Sequence, residues 1–297
     1  MSNRESLNTP MSWGIYLLPV LTILIWAINI VVTRYAVDFI APISISFYRW
    51  LIAWLVLTPF LFFKVVRQWH DIKPLLGQLA ILGLLGMVCY QGLAYSAAHF
   101  TTATNMGIIN GCLPVFSILF SVFFLKIIPS RLAVVGTILS IFGLIYLITQ
   151  GNFQQLLNGQ HLKGDLLMIL AIGLYAFYGI FLQRWKIKLA LPLMLYLQIC
   201  FAVVFHVPLL MYTGLDALNS QNIWSVLYAA LLPSIVAPFV WMICIQKLGS
   251  NSTSIYMNLI PVFTAIIAWV FLGESWTVYH TIGGIMVLLG VFLAQRR

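Results

Sequence analysis

The stretch Ser250–Ser275, SNSTSIYMNLIPVFTAIIAWVFLGES, decides the fold, because it is an apolar run of helical length with a proline near its middle. The chain contains an earlier version of it, Ala103–Ile128, ATNMGIINGCLPVFSILFSVFFLKII. Sliding the sequence by 147 residues places Pro114 on Pro261, and the next segment keeps the same register. A long self-match at a fixed offset indicates one structural unit that is present twice.

The duplication continues upstream of this stretch with a small change of register. There an offset of 149 residues places Trp26 on Tyr175 and Arg49 on Gln198, so a two-residue length change lies in between. We therefore interpret the whole chain as an internal duplication of one structural unit.

The composition places the chain among integral membrane proteins. Hydrophobic residues make up 62% of the sequence, charged residues 7%, and the mean hydropathy is +1.03. Soluble domains carry roughly 25% charged residues. The net charge of +9 comes from basic residues scattered between apolar segments, which form no continuous face for nucleic acid. The four cysteines lie inside apolar segments without ligand spacing, so we expect neither a metal site nor a disulfide.

Apolar segments long enough to cross a bilayer recur along the whole chain. About 20 residues are needed for one crossing. The first run, which begins at Trp13, is too long for a signal-peptide core, so we expect it to remain as a span. We predict ten spans, near 13–33, 42–63, 75–96, 104–125, 132–149, 166–183, 191–212, 223–246, 251–272 and 276–294.

The spans predict an organisation in two halves. A polar N-terminal tail covers residues 1–12, a first five-helix repeat 13–149, an outer loop 150–164, and a second five-helix repeat 165–295. Because each repeat has an odd number of helices, the second enters the membrane from the opposite side. The predicted fold is an all-α integral membrane protein, with ten transmembrane helices built from two inverted five-helix repeats.

The distribution of basic residues between the loops predicts the orientation. Lysine and arginine are retained on the cytoplasmic side of a membrane. Twelve of them fall on the side that holds both termini, and only Arg34 and Lys163 fall on the other side. Both termini are therefore predicted to be cytoplasmic.

Several motifs, in order and in duplicate, resemble those of the drug/metabolite transporter superfamily, in its ten-helix branch with two EamA domains. The resemblance implies a secondary transporter in a cell inner membrane, and export of amino acids or related metabolites as the commonest activity. The motifs are WAIN (Trp26–Asn29), FYRW (Phe47–Trp50), GDLLMILAIGLYAFYG (Gly164–Gly179), NLIPVF (Asn258–Phe263) and FLGES (Phe271–Ser275).

Polar and aromatic side chains inside the spans are the candidates for a substrate cavity, because in hydrocarbon they need a protein partner or water. Any one of these side chains, taken alone, more often makes a hydrogen bond between helices than a contact with a ligand. As a set drawn from both repeats they predict one polar and aromatic cavity between the repeats. The candidates are Trp26, Asn29, Arg49, Gln91, Tyr95, Asn105, Asn110, Tyr175, Tyr178, Gln198, Trp241 and Asn258.

Arg49 is the one charged residue inside the predicted spans. A charge near the bilayer centre costs roughly 2.5–3.5 kcal/mol on insertion scales, although an arginine near a helix end can reach outward to water. The resemblance implies that arginine is common in this position. As a hypothesis, its guanidinium offers a two-pronged donor for a carboxylate or a phosphate.

Prolines predict where the helices deviate from regular geometry. Pro114, Pro261, Pro233 and Pro238 each remove a backbone hydrogen bond in mid-membrane, so we expect helix kinks there, either as static bends or beside a central cavity.

Other functions lack the residues that they need. The predicted spans contain no aspartate or glutamate for a proton relay, and the histidines, His280 among them, are expected to be packing residues. No nucleotide-binding loop, nucleophile motif or metal cluster appears, so we expect no enzyme and no cofactor.

The sequence therefore predicts a secondary transporter of small polar metabolites, most often an exporter of amino acids, working by alternating access. An importer of a nucleoside or an S-adenosylmethionine-like metabolite is the alternative, and a channel is the alternative from another class. The expected partners are a small-molecule substrate and the lipid bilayer, without nucleic acid. The sequence is compatible with either a monomer or a homodimer as the oligomeric state.

Overall fold

The computed structural model of the protein describes residues 14–126, 128–152, 161–248, 253 and 256–294, and within them the chain forms helices and no β-strand. Eight helices are long and apolar enough to cross a membrane: α1 Gly14–Ala36, α2 Pro42–Arg67, α3 Trp69–Ala98, α4 Ala103–Leu125, α5 Arg131–Ile148, α6 Leu162–Trp185, α7 Leu191–Thr213 and α8 Ile223–Leu248. Two shorter apolar helices follow, α9 Tyr256–Leu272 and α10 Val278–Ala294. The predicted tail 1–12 lies outside the described residues, as does most of the predicted loop 150–164.

Local sequence signals set several helix ends. The Thr102 hydroxyl accepts a hydrogen bond from the Asn105 backbone N–H and caps α4, and Ser130 caps α5 in the same way. Serine and threonine are favoured there because the first N–H groups of a helix have no partner within it. At their C-termini, α4 and α9 end in left-handed residues, Lys126 (φ 55°) and Gly273 (φ 65°), which are 147 positions apart.

Irregular turns interrupt three helices near their middles and form the start of a fourth. α3 contains a π-helical segment, Leu84–Cys89, and α8 contains another, Leu232–Val236. α4 is interrupted at Cys112, just before Pro114. α9 begins with a 3₁₀ turn, Tyr256–Leu259, before Pro261. Proline lacks the N–H that would continue the helical hydrogen bonds, which explains the last two. π-helical turns occur frequently at functional sites.

The two halves of the chain pack against each other along most of their length. α2 contacts α7, α4 contacts α9, and α5 packs closely along α10. α1 contacts α8 and α9, while α6 contacts α3 and α4; in the same way, α2 contacts α8 and α7 contacts α3. Exchanging α1–α5 with α6–α10 leaves this set of contacts unchanged.

Glycines allow the closest of these approaches, between α5 and α10. A Cβ atom added to Gly143 would lie 2.9 Å from the carbonyl oxygen of Gly283, and one added to Gly283 would lie 3.0 Å from that of Gly143. About one helical turn away from these glycines, the Ser140 hydroxyl of α5 donates to the Val287 carbonyl of α10 at 3.1 Å. The two backbones therefore touch, which only residues without a side chain permit.

Candidate functional site

A cavity of about 340 Å³ lies among helices from both halves of the chain. This volume is within the range of small-molecule sites. Eight of the candidate residues line it: Trp26, Asn29, Arg49, Gln91, Asn110, Tyr175, Tyr178 and Trp241.

Arg49 brings a positive charge to the cavity wall. Its side chain is 5% exposed, its Nε donates to the Ser234 hydroxyl at 2.6 Å, and its guanidinium carbon lies 5.0 Å from the centre of the Trp50 ring. Its Nη1 points to the Tyr95 hydroxyl at 3.5 Å. The ion pairs among the described residues join other groups, so no carboxylate in that part of the chain neutralises Arg49.

The two π-helical segments hold Arg49 and its neighbours in place. Ser234 belongs to the segment in α8, where its hydroxyl donates to the Ala229 carbonyl at 2.7 Å and accepts from Arg49. In α3, the Met87 carbonyl accepts a hydrogen bond from the Trp50 indole at 2.8 Å. A π-helical turn leaves backbone groups outside the regular ladder, and here side chains of the site use them. This support fixes the guanidinium in one orientation.

Aromatic rings form much of the remaining wall. The Trp26 and Trp241 rings lie 5.3 Å apart between centroids, and the Trp26 indole donates to the Pro233 carbonyl at 3.3 Å. Tyr175 stacks on Tyr178 at 5.2 Å. The faces of such rings attract cations and pack against planar groups. The cavity thus offers a fixed cation together with aromatic surfaces.

Positions that correspond between the two halves meet at this cavity. At the 149-residue offset, Trp26 corresponds to Tyr175 and Asn29 to Tyr178, and all four line it. At the 147-residue offset, Asn110 corresponds to Met257 and Leu113 to Ile260, and these four line it as well. The cavity is therefore built from equivalent parts of both halves.

One polar atom at this cavity has no partner. The side-chain oxygen of Asn29 is buried and makes no hydrogen bond with any described residue. A buried acceptor without a donor is costly, so a ligand that donates a hydrogen bond would relieve it.

Four candidates lie outside the cavity lining. Tyr95 is fully buried and supports Arg49 through its hydroxyl. Gln198 is 1% exposed on α7, and its side-chain oxygen also lacks a partner. Asn258 is half-buried in the 3₁₀ turn of α9, beside the lining residue Met257. Asn105 lies near the N-terminus of α4 and binds Asp165.

The structure adds lining residues that sequence reasoning missed. Tyr90 stands 4.7 Å from Tyr175 between ring centroids, and Gly86 lets Tyr178 approach, since a Cβ there would lie 2.9 Å from the Tyr178 ring. Ser234 completes the lining as the partner of Arg49. Serines and glycines in apolar segments usually serve packing, so their sequence carries no distinct signal. The prolines Pro233 and Pro238 also line the cavity, whereas Pro114 and Pro261 do not.

Comparison with known proteins places this architecture among transporters. The sequence model of the EamA-like transporter family matches residues 12–149 and 162–295. An uncharacterized transporter of Archaeoglobus fulgidus is 28% identical over 285 residues, covering 95% of this chain and 97% of its own length. The uncharacterized transporter YyaM of Bacillus subtilis is 25% identical over 267 residues, covering 88% and 87%.

A solved crystal structure is similar in fold. It superposes with a TM-score of 0.59 at 14% sequence identity and covers 95% of this chain and 96% of its own. At this level of identity the likeness concerns the fold alone.

Proposed function

Since this chain belongs to the EamA-like transporter family, we propose that it is a secondary transporter that carries small polar metabolites across a membrane by alternating access. It is a multi-pass membrane protein, and eight helices among the described residues are long and apolar enough to span a membrane. In the proposal α9 and α10 also cross, both termini are cytoplasmic, and the membrane is a cell inner membrane.

The proposal includes two inverted repeats, residues 13–149 and 165–295, that rock about the cavity. The main contacts between the halves, those described above, support it, because they are unchanged when the halves are exchanged. So does the cavity, which is lined by corresponding residues of both halves. Transporters built from inverted repeats bind their cargo at the interface between the repeats.

The buried, unneutralised guanidinium of Arg49 is the observation that carries the choice of cargo. A charge inside the membrane is costly unless it is paired, so a cargo with a carboxylate would supply the missing partner. Among the described residues one cationic side chain lines the cavity, which favours a zwitterion such as an amino acid over a multiply charged anion. The unpaired oxygen of Asn29 would accept from an amino group. We propose export as the direction.

Counterflow in proteoliposomes tests this proposal. The purified protein is loaded with unlabelled compound, and the uptake of labelled amino acids, nucleosides and S-adenosylmethionine is measured. Saturable exchange of amino acids is expected. Exchange restricted to nucleosides or S-adenosylmethionine would replace the amino-acid cargo with that alternative, and single-channel currents in place of saturable exchange would overturn the transporter mechanism.

Arg49→Lys tests the recognition of the carboxylate. The variant keeps the charge but loses the planar fork, so the KM for a carboxylate cargo should rise about 10- to 100-fold, as expected for one charge-assisted hydrogen bond. The control is Arg131→Lys, at the exposed start of α5 and outside the cavity lining, which should exchange like wild type. Exchange by the Arg49→Lys protein at the wild-type KM would refute the role of the fork.

A second comparison separates recognition from misfolding. In the wild type, an amino acid and its methyl ester should compete very differently for exchange, because the ester has no carboxylate. In the Arg49→Lys protein this discrimination should shrink, whatever fraction of the protein is active. An unchanged ratio would show that Arg49 does not contact the carboxylate.

A further inference from the structure

A buried carboxylate lies outside the cavity, at the end of the bundle where α4 and α6 begin. Asp165 is in the first turn of α6 and its side chain is fully buried. Its Oδ1 accepts from the Thr101 hydroxyl at 2.5 Å, and the Asn105 amide nitrogen donates to Oδ1 at 3.1 Å and to Oδ2 at 3.2 Å. All of these partners are neutral donors, so the site as built receives an ionised carboxylate.

The hydrogen bonds extend from Asp165 to His280 on α10. Because the Asn105 nitrogen faces the carboxylate, its oxygen faces His280 Nε2, at 3.1 Å. That oxygen can only accept, so Nε2 carries a proton. His280 Nδ1 in turn accepts from the Thr277 backbone N–H at 3.1 Å. The two contacts together assign His280 as the neutral imidazole with its proton on Nε2.

The charged and titratable side chains near Asp165 contact groups other than its carboxylate. Lys163 lies over the Phe100 ring at 3.8 Å, and His161 hydrogen-bonds the Phe100 carbonyl at 3.2 Å. Glu274 accepts from the N–H groups that begin α4. His99 is in the preceding turn, and Arg34 pairs with Asp38. Within the described residues no cation lies within ion-pair distance of Asp165, so its negative charge is held by neutral dipoles alone.

A second cavity reaches Thr101, a hydrogen-bond partner of Asp165, from the end of the bundle. This cavity, of about 460 Å³, is lined by Arg34, Asp38, His99, His161 and Glu274 and also by Thr101. Thr101 is the residue whose hydroxyl binds Asp165. A hydroxyl accepts as well as donates, so it can pass a proton between the cavity and the carboxylate.

We propose that Asp165 is the proton-binding site of this transporter, and that binding of a proton weakens the contact between α4 and α6 at this end of the bundle. The proposal rests on the proposed transport function, to which it adds the coupling ion. The proton comes from water in the end cavity, bonds to a carboxylate oxygen and returns to water when the site discharges, so no other reactant is needed. A sodium ion would need free oxygen ligands, whereas both carboxylate oxygens already accept hydrogen bonds.

Protonation weakens the network because it removes the charge that both donors bind. The proton takes Oδ1, and the Thr101 hydroxyl turns to accept it. The Asn105 nitrogen, which donates to both oxygens of the ionised carboxylate, then keeps its bond to Oδ2 alone. Hydrogen bonds to an ionised group are roughly twice as strong as those between neutral groups. Proton binding therefore weakens the contact between α4 and α6, while the Asn105–His280 contact stays in place.

Infrared titration of the reconstituted protein tests the site without any cargo. A protonated carboxyl has a C=O stretching band that the ionised form lacks, and carbon-13 labelling of aspartate shifts it. The other three aspartates, Asp38, Asp71 and Asp216, are exposed. We expect an additional labelled band to appear between about pH 8 and pH 5, absent in Asp165→Asn and present in Asp71→Asn.

Two outcomes of this titration would overturn the proposal. One is the absence of any labelled band between about pH 8 and pH 5. The other is a band that persists in Asp165→Asn. If that variant does not fold, the isotope shift in the wild-type protein still decides whether a buried aspartate takes up the proton.

Transport then tests the link to conformation. With a labelled amino acid that the wild type exchanges, the exchange rate should change severalfold across the same pH interval, and the rate of Asp165→Asn should be independent of pH. Equal pH dependence in both proteins would overturn the coupling. Failure of every cargo to exchange would refute the proposed transport function, while the infrared result would still stand for or against the proton site.

Discussion

Replacing Gly143 with alanine tests whether the direct backbone contact between α5 and α10 holds the two halves together. A Cβ at this position would lie 2.9 Å from both the Gly283 carbonyl oxygen and the Val287 backbone nitrogen. These are backbone atoms, so no side chain can turn away to make room. The helices must separate by several tenths of an ångström, and this loosens their other contacts.

The expected cost follows from two opposing effects. Overpacking a tight interface by one methyl group costs about 1–3 kcal/mol. Alanine in place of glycine inside a helix gains about 1 kcal/mol. Gly173→Ala, in the interior of α6, is the matched control, because this glycine is buried but a Cβ there has no atom within 4 Å. The gain in helix propensity is common to both variants, so Gly143→Ala should be about 1–3 kcal/mol less stable than Gly173→Ala.

The assay is reversible unfolding in mixed detergent micelles, followed by circular dichroism, with the free energy of unfolding compared among wild type and the two variants. Equal stability of the two variants would refute the reasoning, since it would mean that the α5–α10 contact accommodates a side chain without strain. A Gly143→Ala protein more stable than wild type would refute it more strongly.

Two further predictions concern the end of the bundle that holds Asp165. Glu274 accepts hydrogen bonds from the N–H groups of Ala103 and Thr104 at 2.7 and 2.9 Å, so Glu274→Gln should lower the free energy of unfolding by about 1–2 kcal/mol, while Asp38→Asn at the surface should leave it nearly unchanged. Burial lowers the pKa of His99, and Asp38 partly offsets this, so Asp38→Asn should lower that pKa further in an NMR titration; an unchanged value would contradict the assignment. In the wild type, the pKa of His99 is lower in the folded than in the unfolded chain, so the unfolded chain binds the proton more tightly. The free energy of unfolding should therefore fall as the pH drops below about 6.5.

The starts of several long apolar helices could be predicted from the sequence almost to the residue. The span predicted at 42–63 is α2, Pro42–Arg67, and the span predicted at 191–212 is α7, Leu191–Thr213. Both begin at or next to a proline, which suits the first turn of a helix. The physical reason for this success is that about twenty apolar residues in a row have no alternative to a helix in a bilayer.

The burial of Asp165 could not be predicted in this way. The sixth span was predicted to begin at 166, because Lys163 and Asp165 are typical of a loop, whereas α6 begins at Leu162. Asp165 is buried only because Thr101 and Asn105, far away in sequence, supply its hydrogen bonds. A single sequence shows that these residues are polar but not that they are neighbours.

Asn105 and Asn110 were both predicted to line the substrate cavity, because both are amides in one predicted span. Five residues along a helix amount to a rise of about 7.5 Å and a turn of about 140°. The interruption of α4 at Cys112 follows both residues in the chain. Asn110 therefore reaches the cavity, while Asn105 faces Asp165 near the helix start. Composition identifies polar residues in a span, but the rotation and depth of each require the packing.

The differences between the corresponding positions explain the chemistry that we propose for the cavity. Duplication places equivalent backbone on both sides of it, yet Arg49 corresponds to Gln198, which is uncharged and lies outside the lining. Two guanidinium groups facing one small cavity would repel each other across a medium of low dielectric, and none of the described lining residues is a carboxylate that could separate them. A single arginine leaves the cavity with one positive charge, which one carboxylate neutralises. The symmetric parts of the two halves would then supply the shape and the motion, and the selection of cargo would come from the position where the halves differ.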